Sequence, residues 1–200
     1  MPLQYRNRKD DLYTVFQGTT KTGKPRYYVS KSDYSDAGDP VEELPDDFEV
    51  FESPANGSVS VRRRKPTRIL ATERELIAQL VLKLTDYSVE HTIIDGDNIV
   101  VYTPDRAPLA AMESIAKVFG LSKNLFDFSP ANIQFSAVLK FTLLPNGQGS
   151  KAGQRVFLTQ RFCFRGSVDD WMEIGKPGTL ERLAKQFIPT LGTDDFYEQF

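Results

Sequence analysis

Alternation of apolar and polar positions dominates the first third of the chain. Residues 12–17 and 26–31 are rich in Tyr, Val and Phe, and Gly18-Thr-Thr-Lys-Thr-Gly-Lys-Pro25 between them is turn chemistry, so the pattern predicts a β-hairpin. Residues 32–47 read as a polar, acidic loop. A second hairpin is expected from residues 48–52 and 58–64 around Pro54-Ala-Asn-Gly57. If Ser53 pairs with Ser58, Val50 faces Val61 on one side, and Glu49 and Asp47 lie opposite Arg62 and Arg64 on the other.

The period changes after Lys65-Pro66-Thr67-Arg68. Thr72-Glu-Arg-Glu75 has the capping-box pattern, and Leu76, Ile77, Leu80, Val81 and Leu84 then fall on one helical face. A third hairpin follows, residues 88–94 and 99–103, around Asp95-Gly-Asp-Asn98. Gly96 at the first central position suits a type II′ turn, and pairing Ile94 with Ile99 sets His91 opposite Tyr102. A second helix is expected over residues 108–119, ended by Gly120. Two long strands come next. Ile133, Phe135, Ala137, Leu139, Phe141 and Leu143 form the dry face of one; Val156, Leu158, Phe162 and Phe164 form that of the other, with Gln160 interrupting. The glycine-rich connection at 145–154 reads as an exposed, mobile loop. Near the end, Thr179 caps an expected helix with Leu180, Leu183, Ala184, Phe187 and Ile188 on one face. Pro189 disturbs it, Gly192 ends it, and Asp194 and Asp195 open a last turn carrying Phe196, Tyr197 and Phe200.

These elements predict an α+β fold: mostly antiparallel hairpins and sheet, packed on one side by three or four helices. Two modules are expected, a β-rich one over residues 1–66 and an α+β one over 67–200, compatible with packing as one unit. At 200 residues the chain can bury a core without staples, and 40% apolar with 26% charged residues is the balance of a soluble domain.

Charge and cysteine content narrow the function classes. A net charge of −2 exerts no global pull on nucleic acid or membrane. One cysteine, Cys163, permits neither an internal disulfide nor a multi-cysteine zinc framework. The polar N-terminus lacks the apolar stretch of a signal peptide, and no apolar run is long enough to span a bilayer. The expected location is the cytoplasm.

No residue constellation names a reaction. The stretch Gly18-x-x-x-x-Gly23-Lys24-Pro25 approaches a phosphate-binding loop, but proline stands where a magnesium-binding hydroxyl is needed, and a strand follows where a helix must. His91, the one histidine, has no acid–base partner implied by spacing. Cys163 sits between Phe162 and Phe164, surroundings that make a thiol inert. Asp95 and Asp97 lack the further oxygen ligands of a calcium loop, and turn chemistry accounts for both. The neighbouring pairs Asp169-Asp170 and Asp194-Asp195 suit the first turns of helices. No cofactor and no metal are expected.

The uneven charge layout is the remaining signal. Residues 36–60 carry eight acidic and no basic groups, and residues 61–68 carry five basic and no acidic ones. Arg62, Arg64 and Lys65, with Arg6, Arg8 and Lys9, would form a nucleic-acid patch to which Tyr27 and Tyr28 add stacking. Cross-strand pairing of Arg62 and Arg64 with acids favours a decorated sheet surface instead. The leading expectation is a non-catalytic protein-binding or accessory protein, because the terminal aromatics Phe196, Tyr197 and Phe200 either dock on the body or meet a partner. Nucleic-acid binding through the N-terminal region ranks second. An enzyme built from scattered groups such as Arg161, Arg165, Asp169 and Asp170 is the third reading.

Overall fold

A computed structural model of the chain describes residues 1–32, 38–87, 91–105, 133–145, 154–164 and 169–198. Its backbone contacts divide into two compact units, one formed by Met1–Arg64 with a later segment that includes Ile133 and Gln134, the other by the rest of the chain from Lys65 onward.

The first unit holds a four-stranded antiparallel sheet and a separate hairpin. Strand β2 (Leu12–Thr19) is central. One edge pairs with β3 (Pro25–Ser30) in the expected hairpin, Val15 opposite Val29. Its other edge is shared by two short strands, β1 (Gln4–Arg6) along its first half and β4 (Gly38–Pro40) along its second. Strand β4 lies where the sequence predicts only loop. Gly38 makes it possible, because a Cβ there would collide with the backbone of Gln17. The second hairpin, β5 (Phe48–Glu52) and β6 (Val59–Arg63), has the predicted register, with Val50 opposite Val61 and Ser53 N–H donating to Ser58 C=O at 2.8 Å.

A polar clip joins this hairpin to the sheet. Buried Asn7 donates to Gly57 C=O at 2.8 Å, and its own amide oxygen accepts the N–H groups of Lys9 and Asp11. Glu52 accepts from the Tyr5 hydroxyl and from Arg8 N–H, while Arg8 Nη1 reaches Pro54 C=O. Polar groups so enclosed need these partners, which makes the clip specific as well as cohesive.

The second unit is a five-stranded antiparallel sheet in the order β11-β10-β9-β8-β7. Its strands are β7 (His91–Asp95), β8 (Asn98–Pro104), β9 (Phe135–Leu143), β10 (Phe157–Phe164) and β11 (Asp169–Gly178). The β7–β8 hairpin keeps the predicted pairs Ile94–Ile99 and His91–Tyr102, and Gly96 takes φ of +59° as its turn requires. Helices α1 (Ala71–Leu84) and α2 (Leu180–Phe187) pack on one face of the sheet. Ile77, Val81, Leu183, Ala184 and Phe187 meet Ile99, Val101, Leu139, Phe141 and Phe157 in one apolar core. A 3₁₀ turn (Ile188–Thr190), forced by Pro189, and a short α3 (Asp194–Glu198) finish the unit.

Several expectations are corrected. A sheet packed on one side by three or four helices is not the architecture. Strands are spread over three sheets, and the described helices are three and short. Of the described helices only α1 and α2 have the turns to cover a sheet, and both serve the five-stranded one. Asp169 and Asp170 open a strand, not a helix, because Trp171, Met172 and Ile174 pair with Phe162, Arg161 and Thr159 of β10. The buried face of β10 has the opposite parity to the one expected: Phe157, Thr159, Arg161 and Cys163 point inward. Pairing decides it, since Phe157, Thr159 and Arg161 lie opposite the inward Leu143, Phe141 and Leu139 of β9. Thr72 does not cap α1. The helix starts at Ala71, and the Glu73 carboxylate accepts the N–H of Leu70 at 2.9 Å. The expected helix at 108–119 and residues 146–153 of the expected loop lie outside the described residues.

Candidate functional site

In the second unit the inner face of the sheet ends in a cleft of about 270 Å³, more apolar than polar in its walls. Four separate segments build it. From β8 and just beyond come Thr103, Pro104 and Asp105, from β9 Ser136 and Val138, from the segment just after α1 Tyr87, and from the C-terminal elements Leu191, Gly192, Phe196 and Tyr197.

A β-bulge brings the two central strands into line. Val101 pairs with Leu139, but Tyr102 pairs with Ala137, so Val138 is the extra residue. Past the bulge Ser136 stands opposite Thr103, on the inner side, although it is three positions from inward Leu139. Bulges re-aim side chains in this way.

Tyr87 is held by the end of α1. Thr85 Oγ1 donates to Val81 C=O at 2.7 Å and accepts Tyr87 N–H at 3.2 Å, and the Tyr87 ring is buried. On the other side Gly192, with φ of +79°, turns the chain after the 3₁₀ segment, and Thr193 donates from N–H and hydroxyl to Thr190 C=O. Phe196 is then driven into the core, 1% exposed, which leaves Tyr197 at the rim, 51% exposed. The two rings stand 5.4 Å apart and almost perpendicular, at 80°.

Burial pushes the Tyr197 phenol above its ordinary value, Tyr87 and Asp105 add to the rise, and Arg161 opposes it. Arg161 is 5% exposed on the sheet's inner face, its Nη2 4.0 Å from Met172 Sδ. The cleft thus combines aromatic walls with hydroxyls and one carboxylate, a set suited to holding a group in place.

The residues singled out from the sequence go elsewhere. Arg62 pairs with Glu49 at 2.8 Å and lies over the Phe51 ring at 3.5 Å. Arg64 donates from Nε to Phe48 C=O. Asp47 is held by Arg63 at 2.9 Å, not by the side chain of Arg64. Lys65, in the second unit, pairs with Asp95 at 2.8 Å. Arg6 pairs with Asp10, and Arg8 serves the polar clip. Residues 18–25 run directly into β3, so no phosphate-cradling helix follows them. His91 meets the Phe135 ring edge-on at 4.5 Å, and Cys163 is buried opposite Asp170. Asp97 is drawn below the usual carboxylate range, chiefly by hydrogen bonds from Arg68. Asp170 accepts Trp171 N–H at 2.7 Å, while Arg165 and Phe200 lie outside the described residues. Among the described residues no three His, Cys, Asp or Glu side chains gather as a metal site, and no helix is long and apolar enough to cross a membrane.

Of the cleft, the sequence pattern marked Phe196 and Tyr197 as aromatics that dock or meet a partner, and Gly192 as a helix stop. Tyr87, Thr103, Asp105 and Ser136 carry no local signal, because they converge from distant segments. No protein-family model, no curated protein and no solved structure matches the chain.

Proposed function

We propose that this chain is a non-catalytic binding protein that recognises another protein by receiving one of its side chains in the Tyr87–Tyr197 cleft. The observation that carries this reading is the half-exposed ring of Tyr197 at the rim of a concave, largely apolar site. Tyrosine presents wide contact area at low entropic cost and is enriched among residues that dominate interfaces. Size points the same way. About 270 Å³ falls just short of the roughly 300–1,000 Å³ of small-molecule pockets, and is ample for a single large side chain.

The test is affinity capture from the native host with the wild-type chain and its Tyr197→Ala variant, both checked for folding by circular dichroism. A partner held at fixed ratio by the wild type and lost by the variant is the expected result. Identical captured sets from the two would sink the reading.

A further inference from the structure

The basic run at 62–68 is the charge feature that the cleft leaves unused. We propose that this run is the recognition sequence of a basic-directed protein kinase, and that Thr67 is the residue phosphorylated. Arg64 stands three residues before Thr67, Lys65 lies between them, and Arg68 follows directly. No other Ser or Thr in the sequence follows an arginine at that spacing, so the cations single out one hydroxyl.

The structure leaves that hydroxyl open to an enzyme. Residues 63–68 are all exposed, and 64–70 belong to no helix or strand. Pro66 fixes its own backbone and keeps Lys65 extended, the form in which a stretch of chain enters a kinase cleft. Thr67 Oγ1 accepts Ile69 N–H at 3.0 Å, but its own O–H donates to no acceptor among the described residues. Arg64 donates to Phe48 C=O from Nε, which leaves the tip of its guanidinium for a partner's carboxylate. Lys65 pairs with Asp95 at 2.8 Å and Arg68 with Asp97 at 2.6 Å. Solvent-accessible pairs of this kind are weak and yield to a competing acid.

In the transfer, the Thr67 hydroxyl oxygen bonds to the terminal phosphorus of a nucleoside triphosphate. The bond from that phosphorus to its bridging oxygen breaks, the nucleoside diphosphate leaves with the electron pair, and the hydroxyl proton passes to the kinase's aspartate base. The product places about two negative charges one residue from Arg68 and two from Lys65. That dianion competes with Asp97 and Asp95 for the cations that now hold residues 65–68 to the β7–β8 turn, so the modification loosens this tie.

The full chain is incubated with a basic-directed kinase and ATP, then read by intact-mass and fragmentation mass spectrometry. One added phosphate on Thr67 is expected, with none in Thr67→Ala and retention in Thr67→Ser. Arg64→Ala should slow incorporation about tenfold or more, because the kinase's acids lose their charge partner. No phosphate, a phosphate placed elsewhere, or a rate indifferent to Arg64→Ala overturns the assignment. In the phosphorylated chain the Asp97 carboxyl carbon should titrate higher by NMR than in the unmodified chain, since Arg68 is what holds it low. An unchanged Asp97 titration overturns the exchange of partners.

Discussion

The guanidinium of Arg155 donates to both carboxylate oxygens of Glu73, at 2.7 and 2.8 Å, and so ties the first turn of α1 to the approach of β10. The same Nη2 also donates to Arg68 C=O at 2.7 Å. Glu73 is thereby aimed at the Leu70 N–H that it accepts. A two-pronged charge-assisted contact of this kind is stronger than an ordinary surface pair. Arg155→Ala should lower stability by about 1–2 kcal/mol, whereas Thr72→Ala should change it by less than about 0.5 kcal/mol. Denaturant midpoints decide; an equal cost for the two would restore Thr72 as the cap.

The parity of β10 has a sharp consequence. Phe157 is 1% exposed and Leu158 only half-buried. Phe157→Ala should cost about 3–5 kcal/mol, and Leu158→Ala about 1 kcal/mol or less. The reverse order in equilibrium unfolding would mean that the strand is turned over.

Gly175 and Gly96 both hold positive φ, +68° and +59°. A Cβ at Gly96 meets open space, but one at Gly175 would come within 2.6 Å of Phe187 Cζ in the core. Alanine at Gly96 should cost about 1–2 kcal/mol, from backbone strain alone. Alanine at Gly175 should cost about 1–3 kcal/mol more, from overpacking. Matching losses of thermal stability would show that Phe187 yields freely.

Asp97 supplies a pH test. Hydrogen bonds from the Arg68 side chain and N–H, at 2.6 to 3.0 Å, hold its folded-state pKa below the unfolded value. A depressed carboxyl stabilises the fold above its unfolded pKa, and that contribution disappears as pH falls through the folded pKa, below about 4. The Asp97 carboxyl carbon should titrate low by NMR and move upward in Arg68→Ala. No movement would show that Arg68 is not the cause.

Arg62 and Arg64 are engaged within their own hairpin. DNA and RNA should therefore bind weakly near physiological salt, and the double Ala variant should leave both affinity and salt slope unchanged. Tight binding whose slope falls in the variant would show these arginines on phosphates.

Short-range pattern alone determined the hairpins 12–30, 48–63 and 91–104, because a two-residue alternation and a turn chemistry are local properties. The buried faces of α1 and α2 were legible for the same reason: one apolar stripe per helix admits one orientation. Tertiary structure decided the rest. On β10 the apolar residues Leu158 and Phe162 outweigh Thr159 and Arg161 by composition, yet pairing with Leu139 and Phe141 of β9 turns the polar pair inward. Strand β4 exists because β2 has an edge to fill and Gly38 lets another backbone approach. The cleft needed both a bulge at Val138 and a Tyr87 held through Thr85 to the end of α1. A site assembled from residues 87, 103–105, 136–138 and 191–197 has no signature along the chain, since the distances that create it are set by packing and not by spacing in sequence.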